Sequence, residues 1–231
     1  MIAGRDSTPQ SMLHALSFSI GALKSAVLLD VDRSPEDHLF FNDERAILET
    51  HFNALFALQS DIDKYELLDI EQAQSAIDVG DAILDRGVRR AKKRSALELA
   101  NIDPGAVDRA FPSDIEDIVD AERKLEPKLV LDVVDKFKFI PSFNGKADVE
   151  ADLKGRATKQ KDNFLAREAA ETHADGLDNQ ATALVIESAD ALYRLEKRLL
   201  ERFPREKAYV RAFFLDVRRN RKGRKQEPNT P

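Results

Sequence analysis

The sequence predicts an all-α protein: a multi-helix antiparallel bundle with long helices at both ends and short, proline-punctuated helices between them. Three observations carry this. From Lys146 to Phe203 there is no proline and only Gly155 and Gly176 interrupt, while Leu184, Ser188, Leu192, Leu195, Leu199 and Phe203 advance by steps of three or four along one helix face. Nearer the N-terminus, Leu48, His51, Leu55, Leu58, Ile62 and Tyr65 fall on one face in the same way. Between these regions Pro104, Pro112, Pro127 and Pro141 limit any helix to a short piece, because proline lacks an amide hydrogen and clashes with the preceding turn.

Taken in order, residues 1–7 read as a disordered lead. Thr8 caps a first helix with Pro9 in its first turn, where no intrahelical partner awaits the missing amide hydrogen. Its apolar stripe is Leu13, Leu16, Ile20, Leu23 and Val27. A connection from Asp30 to Phe41, broken at Ser34-Pro35, leads to a second helix capped by Asn42. Asp69 opens a third, with Ile70, Ala73, Ile77, Leu84 and Val88 inward, running to about Asn101. Ala73, Gly80 and Gly87 are spaced by seven. Glycine inside a helix costs about 1 kcal/mol relative to alanine, so this line predicts a neighbouring backbone packed close against it. Short helices are expected over 105–110, 114–125 and 128–139. A turn follows at Ser142-Phe143-Asn144-Gly145, then the long segment, read either as one helix or as divided at Asp175-Gly176 with Asp178 recapping it. Pro204 starts a last helix through Val210, Phe213, Phe214 and Val217. The expected organisation is N-terminal helical hairpins over 8–102, a short-helix connector over 103–145, a C-terminal long-helix hairpin over 146–220 and a disordered basic tail over 221–231, or one helical domain overall.

Composition narrows the function classes. With 231 residues, a sizeable core is within reach. The core is expected to be aliphatic with phenylalanine fillers, since there are 13 Phe and no Trp. Charged residues make up 34% of the chain, interleaved with apolar positions as solvated helix faces, and the net charge of −6 argues against a global footprint for nucleic acid. The absence of cysteine removes disulfides and thiolate chemistry and leaves four His as nitrogen ligands. Met12 to Leu29 has the look of a targeting segment, but His14, Ser17, Ser19, Lys24 and Ser25 interrupt it. No stretch is read as reaching the ~18 apolar residues that span a bilayer. The expectation is a soluble, cytoplasmic protein with no membrane association.

Val27-Leu28-Leu29-Asp30-Val31-Asp32 resembles the nucleophile motif of the haloacid dehalogenase superfamily, and Gly80-Asp81 with Asp85 resembles its later metal-binding motif. That resemblance implies a parallel sheet, Mg²⁺ and a carboxylate-dependent hydrolase using Asp30, Asp32, Asp81 and Asp85. The residues between the motifs read as amphipathic helices instead, and Ser34 stands where the family expects threonine or valine. Asp30, Asp32 and Ser34 also begin like a calcium loop, but Pro35 and Phe41 occupy the positions that need glycine and a bidentate glutamate. None of His14, His38, His51 and His173 has the Glu-x-x-His spacing of a di-iron bundle. No catalytic group, cofactor or metal ligand is therefore expected.

Two basic runs remain: Arg86, Arg89, Arg90, Lys92, Lys93 and Arg94 near the end of the third helix, and Arg218, Arg219, Arg221, Lys222, Arg224 and Lys225 in the tail. The tail is the candidate phosphate or nucleic-acid contact, with a solvated terminus favoured. The expected role is a non-catalytic scaffold that presents helix faces to a protein partner or to a second copy of itself.

Overall fold

The computed structural model describes residues 3–215, and among them every regular element is helical. The elements are α1 (Pro9–Leu29), α2 (Pro35–Tyr65), a π-helical turn (Glu66–Ile70), α3 (Glu71–Leu99), α4 (Ala106–Ala110), α5 (Glu116–Val119), α6 (Glu126–Lys136) followed by a 3₁₀ turn (Phe137–Phe139), α7 (Lys146–Arg202) and α8 (Lys207–Arg211). The all-α expectation holds.

Helix starts follow the proline rule more widely than the sequence reading applied it. Thr8 Oγ1 accepts from the Ser11 amide at 3.2 Å, with Pro9 next to it. Ser34-Pro35 repeats the device: Ser34 Oγ accepts from the Asp37 amide at 3.2 Å, so α2 starts there and Asn42 lies inside it rather than capping it. Pro127 likewise sits in the first turn of α6, which begins at Glu126 instead of 128. The helix expected over 114–125 shrinks to Glu116–Val119.

Asp69 does not open a new helix. The buried heptad Phe41, Leu48, Leu55, Ile62 continues through half-buried Ile70 to buried Ile77, Leu84 and Ala91, with a step of eight instead of seven at Ile70 that coincides with the wider π turn. Nor does α7 divide at Gly176; it runs unbroken for 57 residues, since one glycine costs a helix only about 1 kcal/mol. The last helix is shorter than expected, Lys207–Arg211, and Val217 lies outside the described residues.

The described residues form two compact units, 3–64 with 174–215 and 65–173, whose boundaries fall inside long helical runs. In the first unit α1, α2, the later part of α7 and α8 enclose Met12, Leu16, Leu23, Phe41, Leu48, Leu55, Leu192, Leu195, Leu199, Phe203 and Phe213. The Phe41 ring stacks on Phe203 and Phe213 with centroids 5.8 and 5.6 Å apart. The inward line of α1 is Met12, Ala15, Leu16, Ser19, Leu23 and Ala26, with Leu13, Ile20 and Val27 along its edge. This 21-residue helix holds an 18-residue stretch of mean hydropathy 1.5 and is long and apolar enough by length and composition to cross a membrane, contrary to the sequence reading; a third of that stretch is buried in the protein.

The second unit packs α3, the short helices and the beginning of α7 around Leu84, Val88, Leu99, Val107, Phe111, Val130, Phe137, Phe143 and Leu153. Gly145 enters α7 with φ +76°, a conformation that disfavours side chains, and the Arg94 guanidinium fills the space a Cβ would need.

Candidate functional site

The four aspartates of the hydrolase reading sit on helices and turns, and the strand it requires at Val27–Leu29 is the last turn of α1. Asp30 caps that helix and binds Arg33 Nε at 2.8 Å and the Tyr209 hydroxyl at 3.0 Å, while its carbonyl contacts His38 Nε2 at 3.0 Å. The Arg33 hydrogen bond holds the Asp30 carboxyl below its usual range. Arg33 also pairs with Glu206 and lies 4.7 and 4.8 Å from the Phe203 and Tyr209 ring centroids. Burial, followed by the bond to Asp30, pushes the Tyr209 hydroxyl up to about 12. These contacts fasten chain ends. Asp32 is exposed.

Asp81 and Asp85 belong to a different arrangement. Glu126, the first residue of α6, is 1% exposed and faces both of them. Burial and the neighbouring Asp85 push its carboxyl up to about 9, and burial raises Asp85 as well. Neither Glu126 Oε1 nor Asp85 Oδ1 has a hydrogen-bond partner among the described residues, and a proton kept on Glu126 would spare the pair two facing negative charges. Arg123 neutralises Asp81 and also Asp78, at 3.2 and 2.7 Å.

The glycine line has a specific occupant. Gln160 Nε2 donates to the Ile77 carbonyl at 2.9 Å, Asn163 Nδ2 to the Ala76 carbonyl at 3.0 Å, and Arg156 Nη1 to the Ile83 carbonyl at 3.3 Å. Ala76 and Ile83 lie four residues before Gly80 and Gly87, where a missing Cβ uncovers the helix carbonyl. A Cβ at Gly80 would overlap Gln160 Oε1, and one at Gly87 would lie 2.6 Å from Arg156 Cδ. Side chains of α7, not its backbone, therefore fill the line; Ala73 faces Ala166, Ala169 and Ala170 across a shallow hollow that Tyr65 and His173 also line.

The third-helix basic run divides. Arg89 pairs bidentately with Glu116, Lys92 donates to the Pro112 and Ser113 carbonyls at 2.8 and 2.9 Å, and Arg94 covers Gly145. Arg86, Arg90 and Lys93 are exposed and form no ion pair among the described residues. The tail cations Arg218, Arg219, Arg221, Lys222, Arg224 and Lys225 lie outside the described residues.

The largest concavity described is a cleft of about 950 Å³ in the second unit, between α3, the residues leading into α6, α6 itself and the first half of α7. Ile77, Pro127, Leu131, Phe164 and Leu165 supply apolar walls. Its rim is charged with both signs: Arg167 pairs with Glu171 at 2.8 Å, whereas Lys124, Lys128, Lys161, Glu122 and Glu168 form no ion pair among the described residues. Leu165, which lines the cleft, is 53% exposed. No known protein decides the matter: no family model, curated protein or solved structure matches the chain. The sequence reading missed this cleft because it treated 103–145 as a connector.

Proposed function

We propose that the protein is a non-catalytic docking module whose second unit receives an amphipathic helix of a partner protein. The observation that supports this best is the apolar-walled cleft, whose mixed rim carries Lys124, Lys128 and Lys161 beside Glu122 and Glu168. Its volume of about 950 Å³ accommodates several side chains, at the upper end of the ~300–1,000 Å³ usual for binding clefts. Apolar anchors on one face of a partner helix would fill it and cover Leu165, while Lys124, Lys128 and Lys161 would meet carboxylates beside those anchors. Such a rim favours register over raw affinity.

A displayed library of amphipathic helical peptides, panned against the full-length protein, tests the reading. Enrichment on the native protein that disappears on Leu165→Glu, with preference for acidic flanks, is the expected result. Binders that ignore Leu165→Glu, or no enrichment, would refute it. Concentration-dependent self-association abolished by the same substitution would replace the partner with a second copy of the chain.

A further inference from the structure

The exposed face of α3 carries a row that is independent of the cleft: Val79, Ile83, Arg86, Arg90, Lys93 and Leu97, at helical steps of three and four. Three adjacent members are cations. From Arg86 to Leu97 the helix has no acidic residue, so none of the three meets a carboxylate one turn away on α3. Like charges at such spacing cost an isolated helix about 0.2–0.5 kcal/mol per pair. The helix dipole does not offset this for Arg86 and Arg90, because its effect fades within about one turn and α3 continues to Leu99. The other long cations of the run are already engaged, Arg89 with Glu116 and Lys92 with two carbonyls. The row borders a recess of about 390 Å³ lined by Ala82, Asp85, Arg86, Arg89, Arg90 and Lys93.

We propose that Arg86, Arg90 and Lys93 hold successive phosphates of a nucleic-acid backbone, without reading its bases. Arg86 and Lys93 are seven residues apart, about 10 Å along the axis, a span that brings the row against two or three phosphates. A lipid surface fits less well. The row's apolar members stand at its two ends, with Ile83 and Leu97 about 21 Å apart along the axis and three cations between, so no continuous apolar face is available to enter a bilayer.

The test is salt-dependent anisotropy of a labelled 20-nucleotide RNA and a 20-base-pair DNA with the full-length protein. Three phosphate contacts contribute about −2 to −3 to the slope of log affinity against log salt. Arg86→Gln/Arg90→Gln/Lys93→Gln should lower the slope by that amount and weaken binding at least about tenfold at low salt; each single substitution should lower it by about 1. The singles decide the question if the triple variant loses helicity by circular dichroism. Unchanged binding in the triple variant, with loss on Arg218→Gln/Arg219→Gln/Arg221→Gln, would assign the contact to the tail and overturn the proposal. Binding only to phosphatidylserine vesicles, or to no probe at 50 mM salt, would overturn it equally.

Discussion

The two units are built from the same kind of element yet held together differently. In residues 3–64 and 174–215 the helices are long, and apolar contact dominates: Phe41 is fully buried between Phe203 and Phe213, and charges are neutralised pairwise, as in Arg202 with Asp37 and Arg198 with Glu44. In residues 65–173 short helices multiply the chain ends, each of which leaves backbone groups without intrahelical partners. Polar side chains take on more of the assembly there: Lys92 ties down the Pro112 and Ser113 carbonyls, Gln160 and Asn163 bond to carbonyls of α3, and the buried Glu126 carboxyl, raised by burial and by Asp85, faces Asp85. The lesson is that the first unit specifies its packing chiefly by apolar periodicity, while the second adds individual polar contacts, between its long helices as well as at its short ones.

Substitutions should separate these two modes. The largest effect is expected from Phe41→Ala, which removes a fully buried ring from three-way stacking. A stability loss of about 3–5 kcal/mol in chemical denaturation is the expected outcome; a loss below about 1 kcal/mol would deny the first unit its apolar basis. Next comes Gly80→Ala. Alanine gains about 1 kcal/mol of helix propensity, but its Cβ displaces Gln160, which is 1% exposed, and disturbs two amide-to-carbonyl bonds worth about 0.5–1.5 kcal/mol each. A net loss of up to about 2 kcal/mol follows, whereas Gly176→Ala in α7, where nothing lies within 4 Å of the new Cβ, should gain up to about 1 kcal/mol. The same substitution thus has opposite signs at two helical glycines.

Glu126 gives a smaller effect with a pH signature. Its carboxyl is raised in the folded protein by burial and by Asp85 and Asp81, while Arg89 and Asp120 face Asp85 and Arg123 faces Asp81. A raised folded pKa means the folded state binds the extra proton. Its stabilisation is complete below the unfolded value near 4.5 and is lost as pH rises toward about 9. Glu126→Gln keeps an N–H donor for Asp85 without the titration. It should melt a few degrees higher than the native protein at pH 8, with the difference shrinking toward pH 5; a gap independent of pH would contradict a proton kept on Glu126.

Much of the first unit was legible because its signals are periodic. The line Leu192, Leu195, Leu199, Phe203 is buried as read, and Thr8-Pro9 starts a helix. Ser34-Pro35 carried the same signal but was read as a break, since serine before proline marks both turns and helix starts. The π turn was written in the step of eight from Ile62 to Ile70. Composition hides such a step, and counting residues along the heptad reveals it. The cleft was less visible: it depends on where Leu131, Phe164 and Leu165 come together, and their sequence separation carries no periodic cue. Sorting engaged from exposed cations in the run Arg86 to Arg94 likewise required their partners at Pro112, Ser113 and Glu116, which lie in another stretch of chain.

Methyl-resolved NMR of the full-length protein, titrated with an amphipathic peptide obtained by panning, probes the docking reading most directly. Ile77, Leu131 and Leu165 methyls should shift while Ile47 and Leu28, exposed apolar residues of the first unit, stay in place. Shifts confined to Ile47 or Leu28, with the cleft methyls unmoved, would contradict the assignment of docking to the second unit.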